Sequence, residues 1–335
     1  MTTRKKILVM AQIPLAGLSE LQEQFDIIYP ERFSFDESEL KQLIVDVDGI
    51  LSVFTIPLRS EILQLARQIR IISNFGVGYN NIDLDLATSR GIAVCNTPDS
   101  VTEPTAEMAM GLMIALMRRI CETDRKLRSV QGLKWGMMEN LGSSLWGKTL
   151  GIIGMGRIGR ALARRAVASG MKVIYYNRTR LDAALESPLK ANWVSFNNLL
   201  QQSDVISLNC PLHDDTHHLI GEKEILQMKD GVFIINTSRG AVIDEQALVQ
   251  NLAKGKIGGA GLDVFEEEPV ISRELFLMDN VVLTPHNATG TIDTRIMTAR
   301  EASESIIRFF IGGRDIPIVN PAIWNGSENV DANYE

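Results

Sequence analysis

The sequence predicts an α/β protein with two domains, each built on a doubly wound parallel sheet. Its 335 residues, of which 45% are hydrophobic, are enough for about two domains that each bury a core. Short apolar runs alternate with helical-period segments along almost the whole chain, which is typical of a parallel sheet with helices on both faces. One unusually long helical segment near 102–129 separates two such alternations and suggests a boundary between them.

The first alternation contains strands at 7–10, 27–29, 49–53, 71–73 and 92–95, with helices at 15–24, 38–45, 60–67 and 84–89. The chain starts with basic residues before an apolar run, as a signal peptide does. However, Gln12 and Pro14 interrupt that run after a few residues. A first core strand within 6–11 is therefore the better interpretation.

The second alternation contains strands at 149–153, 172–176, 205–208, 232–235, 259–264 and 281–283, with helices at 157–169, 196–202, 222–228 and 245–254. A last long helix is predicted at 291–311, and the polar tail at 325–335 is expected to be loose. No internal repeat is visible at a fixed period.

Composition argues against several classes of protein. The chain has 41 acidic and 34 basic residues, and a net charge of −7 disfavours a broad basic face for nucleic acid. Three widely spaced cysteines predict no disulfide framework and fit a reducing compartment. The apolar segment 106–117 is too short to span a membrane, which needs about 20 residues. We therefore expect a cytoplasmic protein without nucleic-acid or membrane partners.

A glycine motif follows the first strand of the second alternation. Gly154, Gly156 and Gly159 form a G-x-G-x-x-G pattern directly after an apolar strand and at the start of a helix, the context that makes this pattern specific. These glycines permit a tight turn, close approach of a pyrophosphate and close helix packing. The helix start, with Arg157 and Ile158, favours phosphate binding. A Rossmann-like dinucleotide site is predicted; a strand–helix turn without a ligand is the alternative.

The end of the next strand predicts which dinucleotide binds. An NAD site usually has a carboxylate about 20 residues after the glycines. Here Asn177 stands 18 residues after Gly159 (177 − 159), followed by Arg178, Thr179 and Arg180. We therefore predict that NADP is preferred over NAD, because the arginines can pair with a 2′-phosphate and the threonine can donate a hydrogen bond. A solvated basic turn that leaves NAD usable is the alternative.

Three later segments place reactive side chains at predicted strand ends, where ligands bind in open α/β sheets. They carry Arg239, the carboxylates within 263–268, and His286. An arginine can hold an anionic substrate in a planar fork, and a histidine can donate a proton to a new alcohol oxygen. A carboxylate on the other ring nitrogen would keep the imidazolium charged and oriented. The set suggests hydride transfer to a keto acid.

Together these motifs resemble the D-isomer-specific 2-hydroxyacid dehydrogenase family over about 6–320. Segment 74–83 resembles the family's loop for the substrate carboxylate, and 96–107 resembles its crossover into the cofactor domain. The resemblance implies that Arg239, Glu268 and His286 are catalytic, and that Asp263 holds the nicotinamide carboxamide. Within the family, the turn at 177–180 is most similar to glyoxylate and hydroxypyruvate reductases.

The resemblance also revises the domain boundaries. Alternation alone predicts two consecutive domains. The family instead implies a discontinuous, flavodoxin-like substrate-binding domain of 1–100 plus 286–335, and a dinucleotide-binding Rossmann domain of 101–285, with a cleft between them.

A wider set of binding residues is expected at the site. Around the cofactor we expect Thr105, Gly154, Gly156, Arg157, Ile158, Gly159, Asn177, Arg178, Thr179, Arg180, Cys210, Pro211, Thr216, Thr237, Ser238, Arg239, Asp263, His286 and Ala288. Around the substrate we expect Val53, Val77, Gly78, Arg239 and His286. No metal is expected: the polar cluster at 213–218 is interpreted as a loop near the cofactor, and Glu266 and Glu267 as solvated charges.

The expected function is reduction of a small 2-oxo acid, such as glyoxylate or hydroxypyruvate, to the D-2-hydroxy acid, with NAD(P)H as cofactor and His286 as proton donor. A regulatory scaffold that senses a dinucleotide is one alternative, because fold does not determine function. A phosphoglycerate or phosphite-type dehydrogenase is another. A homodimer is expected, with the apolar segment 106–117 buried against the partner's cofactor domain.

Overall fold

The computed structural model describes residues 4–129 and 132–324, and no helix in these ranges is both long and apolar enough to cross a bilayer. The described chain forms two compact units. One contains the residues up to Val101 together with those from Thr289 onward, and the other contains Thr102–Ala288.

The helices and strands follow one another along the chain in alternation. Their bounds are β1 (Lys6–Val9), α1 (Ser19–Gln24), β2 (Asp26–Ile28), α2 (Glu37–Leu43), β3 (Gly49–Val53), α3 (Ser60–Leu63), β4 (Ile71–Phe75), α4 (Leu84–Ser89), β5 (Ala93–Cys95), α5 (Thr102–Met117), α6 (Ile120–Leu127), β6 (Thr149–Ile153), α7 (Arg157–Ala168), β7 (Lys172–Tyr176), α8 (Ala183–Glu186), β8 (Ala191–Trp193), α9 (Phe196–Gln202), β9 (Val205–Leu208), α10 (Glu222–Gln227), β10 (Val232–Asn236), α11 (Glu245–Ala253), β11 (Ile257–Leu262), β12 (Val281–Leu283) and α12 (Ile292–Phe310).

The first unit is a five-stranded parallel sheet in the order β2-β1-β3-β4-β5. Strands β3 and β4 are buried along their whole length, as expected where helices cover both faces. The last helix, α12, returns to this unit because its apolar face, with Ala299, Ala302 and Ile306, joins the core formed by β1, β3 and β4. The discontinuity of the unit therefore follows from the burial of one helix face.

The second unit is a seven-stranded parallel sheet in the order β12-β11-β10-β9-β6-β7-β8. The chain moves outward from β6 through β7 to β8, and then starts again on the other side of β6 with β9. This reversal is the switch point at which doubly wound sheets bind ligands beyond their carboxyl ends. The two predicted doubly wound parallel sheets are confirmed.

The long helix predicted at 102–129 is instead two helices, α5 and α6. Arg119 adopts a left-handed conformation with φ of 56°, and its guanidinium holds Glu122 of α6 at 2.6 Å. A left-handed residue cannot continue an α-helix, so the direction of the chain changes there. The residues of both α5 and α6 favour a helix. The break between them depends on the backbone angle of one residue, which the hydrophobic periodicity of the sequence does not indicate.

Helix α5 packs mostly within its own unit. Its buried residues, which include Ala106, Ala109, Leu112 and Met113, belong to a core shared with β6, β7 and α7 of its own unit. Its apolar composition is therefore explained within one chain, and it leaves only a narrow stripe exposed.

Candidate active site

The glycine turn lies at the switch point, between β6 and α7. Gly154 has φ of +96°, and a Cβ there would lie 2.6 Å from the Asn209 carbonyl carbon. A Cβ on Gly159 would lie 2.3 Å from the Gly154 carbonyl oxygen, whereas one on Gly156 would meet no heavy atom within 4 Å. Two glycines are therefore required by packing, and the middle one borders open space. This geometry fits a dinucleotide, whose pyrophosphate needs close access to the backbone.

The turn after β7 is organised by Asn177. Its Oδ1 accepts a hydrogen bond of 2.7 Å from the Met155 amide, which joins this turn to the glycine turn. Arg178 and Thr179 are exposed, and Arg178 Nη1 lies 3.7 Å from an exposed Asp215 oxygen. This turn therefore presents the amide side chain of Asn177 and one accessible cation, Arg178.

Arg180 differs from the prediction that it is available for a phosphate. Its guanidinium binds Glu186 through two hydrogen bonds of 2.7 and 2.8 Å, and Glu186 also accepts one from Tyr175. The Arg180 hydrogen bonds lower the pKa of Glu186 to about 2. Because Glu186 is itself buried, its charge needs this partner. Arg180 thus stabilises the local fold, and the sequence pattern did not reveal Glu186.

The predicted catalytic pair is present in the second unit. His286 Nδ1 lies 2.7 Å from Glu268 Oε2, and the other oxygen of Glu268 accepts a hydrogen bond from the Phe265 amide. Burial acts to raise the pKa of Glu268, but the hydrogen bonds from His286 and Phe265 and the charges of His286 and Arg239 together lower it. Glu268 is therefore a carboxylate near neutral pH, and the opposite nitrogen of His286, Nε2, points away from it.

Arg239 follows the end of β10. One guanidinium nitrogen donates to the Ser238 carbonyl at 2.7 Å, and burial lowers the pKa of Arg239 while the charge of Glu268 acts in the opposite direction. The adjacent Gly240 is required for this arrangement, because a Cβ there would lie 1.8 Å from the Phe265 carbonyl carbon. The loop with Arg239 and Gly240 therefore packs closely against the loop that begins at Phe265 and contains Glu268. Arg239 and the Glu268–His286 pair belong to the same unit.

Asp263 has a role that sequence reasoning missed. Its fully buried carboxylate accepts hydrogen bonds from Thr284 Oγ1 at 2.6 Å and from the amides of Asn287 and Ala288 at 3.0 and 2.8 Å. Its carbonyl oxygen also accepts the His286 amide at 2.8 Å. His286 itself has φ of +48°. A positive φ is costly for a residue other than glycine. The hydrogen bonds of Asp263 therefore stabilise the turn in which His286 adopts this conformation.

These bonds also explain where the second unit ends. The predicted boundary between 285 and 286 puts His286 in the substrate-binding domain, whereas the structure keeps the chain in the second unit through Ala288. The reason is that Asp263 binds three successive residues of the turn.

The other expected cofactor residues all lie in the second unit. Thr237 is buried, and its hydroxyl has no hydrogen-bond partner among the described residues, as expected of a group that a ligand would satisfy. Burial raises the pKa of the Cys210 thiol to about 11, so it is a neutral packing group. Thr216 closes its loop by donating to the Pro211 carbonyl at 2.7 Å. Thr105 is buried in α5.

The predicted substrate loop lies in the first unit, after β4. Asn74 Nδ2 donates to the Gly78 carbonyl and Asn96 Nδ2 to the Val77 carbonyl, each at 2.8 Å, while the Thr97 amide donates to the Gly76 carbonyl. The C=O and N–H of one trans peptide point in opposite directions. The amides of Val77 and Gly78 are therefore directed away from these side chains, in an arrangement that suits a small anion.

Val53, in contrast, does not offer a surface to a substrate. Its side chain is buried in the core of the first unit, and its carbonyl accepts a hydrogen bond from Asn81 Nδ2 at 3.1 Å. The sequence analysis counted Val53 among the substrate-binding residues, but its side chain points into the core.

Sequence comparison finds relatives that match almost the whole chain. Residues 110–288 match the family model described as D-isomer specific 2-hydroxyacid dehydrogenase, NAD binding domain. The chain is 42% identical to a glyoxylate reductase of Thermococcus litoralis, over 97% of this chain and 99% of that protein. It is 39% identical to one of Korarchaeum cryptofilum, over 96% and 97%.

Solved structures are similar over almost the whole chain. A glyoxylate reductase from Paecilomyes thermophila has a TM-score of 0.87 and 36% identity, covering 96% of this chain and all of that one (100%). An NADPH-dependent glyoxylate/hydroxypyruvate reductase from Sinorhizobium meliloti, in complex with NADP and malonate, has a TM-score of 0.84 and 31% identity, covering 95% and 97%. The chain therefore belongs to the D-isomer specific 2-hydroxyacid dehydrogenases, NAD(P)-dependent oxidoreductases that act on a CH–OH group.

Proposed function

We propose that this protein reduces a small 2-oxo acid, of the size of glyoxylate or hydroxypyruvate, to the D-2-hydroxy acid, and that His286 donates the proton. The observation that carries the proposal is the Glu268–His286 pair at 2.7 Å in the same unit as Arg239. The names of the relatives support the choice of substrate, since several are glyoxylate reductases.

The proposed chemistry divides between these three residues. A nicotinamide dinucleotide supplies the hydride for the 2-oxo carbon when it is bound. Arg239 pairs with the substrate carboxylate and polarises the carbonyl group. His286 holds a proton on Nε2 and delivers it to the oxygen that becomes the alcohol. Glu268 orients the imidazole through Nδ1 and stabilises its charged form, because its own pKa is lowered and it stays ionised.

For the cofactor we propose a preference for NADP over NAD. Asn177 puts no carboxylate at the ribose, and Arg178 is an exposed cation in the same turn. The relative from Sinorhizobium meliloti, which was solved with NADP, supports this choice. Since Arg180 is bound to Glu186, the preference depends on Arg178 and on the missing carboxylate.

We also propose a homodimer through the second unit, with a different surface from the one that the sequence predicted. Large apolar side chains are exposed between α6 and β6, notably Trp135, Met137, Met138 and Trp146. Apolar groups in such a cluster are typical of a surface that a partner covers. A second copy of the chain is the simplest partner, because two-fold dimers are the commonest oligomers.

To test the function, the oxidation of NADPH is measured from its absorbance in the presence of each of a panel of small 2-oxo acids. We expect glyoxylate and hydroxypyruvate to be turned over. Tight binding of the dinucleotide without turnover of any 2-oxo acid would contradict the proposal and favour a dinucleotide-sensing scaffold.

A further inference from the structure

A cluster of side chains that could bind a metal ion contains none of the three proposed catalytic residues. The ligand atoms of His217, His218 and Glu266 all lie within 4.8 Å of one another. Two imidazoles and one carboxylate form a donor set typical of zinc-class ions. The sequence alone predicts no metal at 213–218, because no regular spacing puts the donors of that loop on one face. The fold changes this by adding a third donor from a segment 48 residues further along the chain.

The backbone directs His218 toward Glu266. His218 has φ of +51°, and its amide donates to the Ala241 carbonyl at 2.8 Å. Its Nε2 then lies 2.5 Å from Glu266 Oε1, a hydrogen-bond distance. The neighbouring His217 ring stacks on it with centroids 4.0 Å apart, and His217 is exposed. An ion from solvent would therefore meet His217 first.

Glu266 forms hydrogen bonds with Glu245 on the side away from the histidines, which contradicts the prediction that Glu266 is a solvated charge. Its second oxygen, Oε2, accepts the Glu245 amide at 3.0 Å, and its own amide donates to the Glu245 carboxylate at 3.0 Å. Oε1 is the oxygen that faces the histidines. A carboxylate oriented by a hydrogen bond on its far oxygen is the usual support of a metal ligand.

The local charge also favours a cation. Glu245 accepts bonds from the Ser272 amide and hydroxyl and from Glu266, all of which are uncharged donors. Within residues 4–129 and 132–324, neither Glu245 nor Glu266 forms an ion pair with a lysine or arginine. Among the described residues these two carboxylates therefore have no lysine or arginine partner, and a divalent ion would neutralise their charge.

We propose that His217, His218 and Glu266 bind one divalent ion of the zinc class, with water completing the coordination. Ligands around zinc lie about 2.0–2.2 Å from the metal. The 2.5 Å contact of His218 with Glu266 is too short to enclose an ion, so these side chains separate slightly and the His217 ring leaves the stack.

The test is calorimetric titration of untagged, EDTA-treated protein with Zn²⁺, with Co²⁺ absorption spectra as a second readout. We expect one ion per chain and the visible bands of four-coordinate Co²⁺. His217→Ala and Glu266→Gln should each weaken Zn²⁺ binding at least about tenfold, whereas Mg²⁺ should not bind, since imidazole is a poor ligand for it.

Two matched variants control for non-specific binding. Glu267→Gln removes the neighbouring, exposed carboxylate, and His213→Ala removes a histidine of the same loop that is outside the cluster. Both should bind Zn²⁺ as the parent does. Zn²⁺ affinity weaker than millimolar in the parent, or an equal affinity in all four variants, would overturn the proposal. Neither result depends on whether the protein reduces 2-oxo acids.

Discussion

At the scale of single residues, the contact between Glu268 and His286 determines how the proposed chemistry depends on pH. The ionised carboxylate stabilises the imidazolium, because the two groups lie 2.7 Å apart. In Glu268→Gln this ionic partner is lost while a hydrogen-bond acceptor remains. We expect the alkaline fall of reductive kcat/KM to move to lower pH, measured as a pH profile beside that of Glu267→Gln. An unchanged alkaline limb would mean that Glu268 does not tune the histidine.

The Arg180–Glu186 pair makes a prediction about stability in acid. The folded protein lowers the pKa of Glu186 from its ordinary 4.5 to about 2, so the pair stabilises the fold above pH 4.5 and loses its contribution as pH falls toward 2. Glu186→Gln should therefore lower Tm at pH 7, and the difference from the parent should shrink as pH is lowered from 5 to 3. A difference that is independent of pH would assign the effect to packing.

The proposed preference for NADP can be tested by replacing Arg178. Arg178→Ala should raise the KM for NADPH several-fold and leave that for NADH nearly unchanged, because only the phosphorylated ribose loses a charge partner. Lys172→Ala is a suitable control, since Lys172 is an exposed cation at the opposite end of β7. Equal effects of Arg178→Ala on both cofactors would exclude a contact with the 2′-phosphate.

At the scale of elements, the loop after β4 depends on side chains from outside it. Asn96 holds the Val77 carbonyl at 2.8 Å, and this bond fixes the direction of the next amide. Asn96→Ala should raise the KM for the 2-oxo acid several-fold, while the KM for NADPH stays within about twofold. Steady-state kinetics with each substrate varied in turn separates the two effects. A parallel rise of both constants would indicate general loosening of the fold.

The exposed segment between α6 and β6 carries the prediction on assembly. Met138→Glu should convert a dimer of 37.2 kDa chains into a monomer at micromolar concentration, as measured by light scattering. Leu277→Glu is the matched control, because Leu277 is equally exposed in the same unit but lies outside this segment. A parent protein that is monomeric, or a dimer that survives Met138→Glu, would refute the proposed surface.

Strands and helices could be predicted from the sequence where their burial produces a clear periodicity of apolar residues. Strands that are buried over all or nearly all of their length, such as β6 and β9, are bounded by polar residues or turns, and their predicted limits agree with the structure. Strand β8 was missed, because it has three residues at the sheet edge and only Ala191 is buried. Likewise, the sequence indicated Arg239, Glu268 and His286 through local motifs. It could not indicate Glu186 or Glu266, because their partners are brought to them only by the fold.

At the scale of the whole molecule, the two sheets explain why so many predicted residues follow strand ends. In the second unit the glycine turn, Arg239 and His286 follow β6, β10 and β12, all parallel strands of one sheet. Their carboxyl ends therefore meet at one edge, near the switch point between β6 and β9. Residues distant in sequence are assembled by topology, which the alternation of strands and helices could predict in outline.

The proposed function depends most on His286 as the proton donor in the reduction of a 2-oxo acid. The most direct measurement compares the parent with His286→Ala, using single-turnover oxidation of NADPH by glyoxylate together with dinucleotide affinity from fluorescence titration. We expect the rate to fall by at least about 10², the scale of a general acid, while dinucleotide affinity is retained. A rate within about tenfold of the parent at full dinucleotide affinity would contradict it.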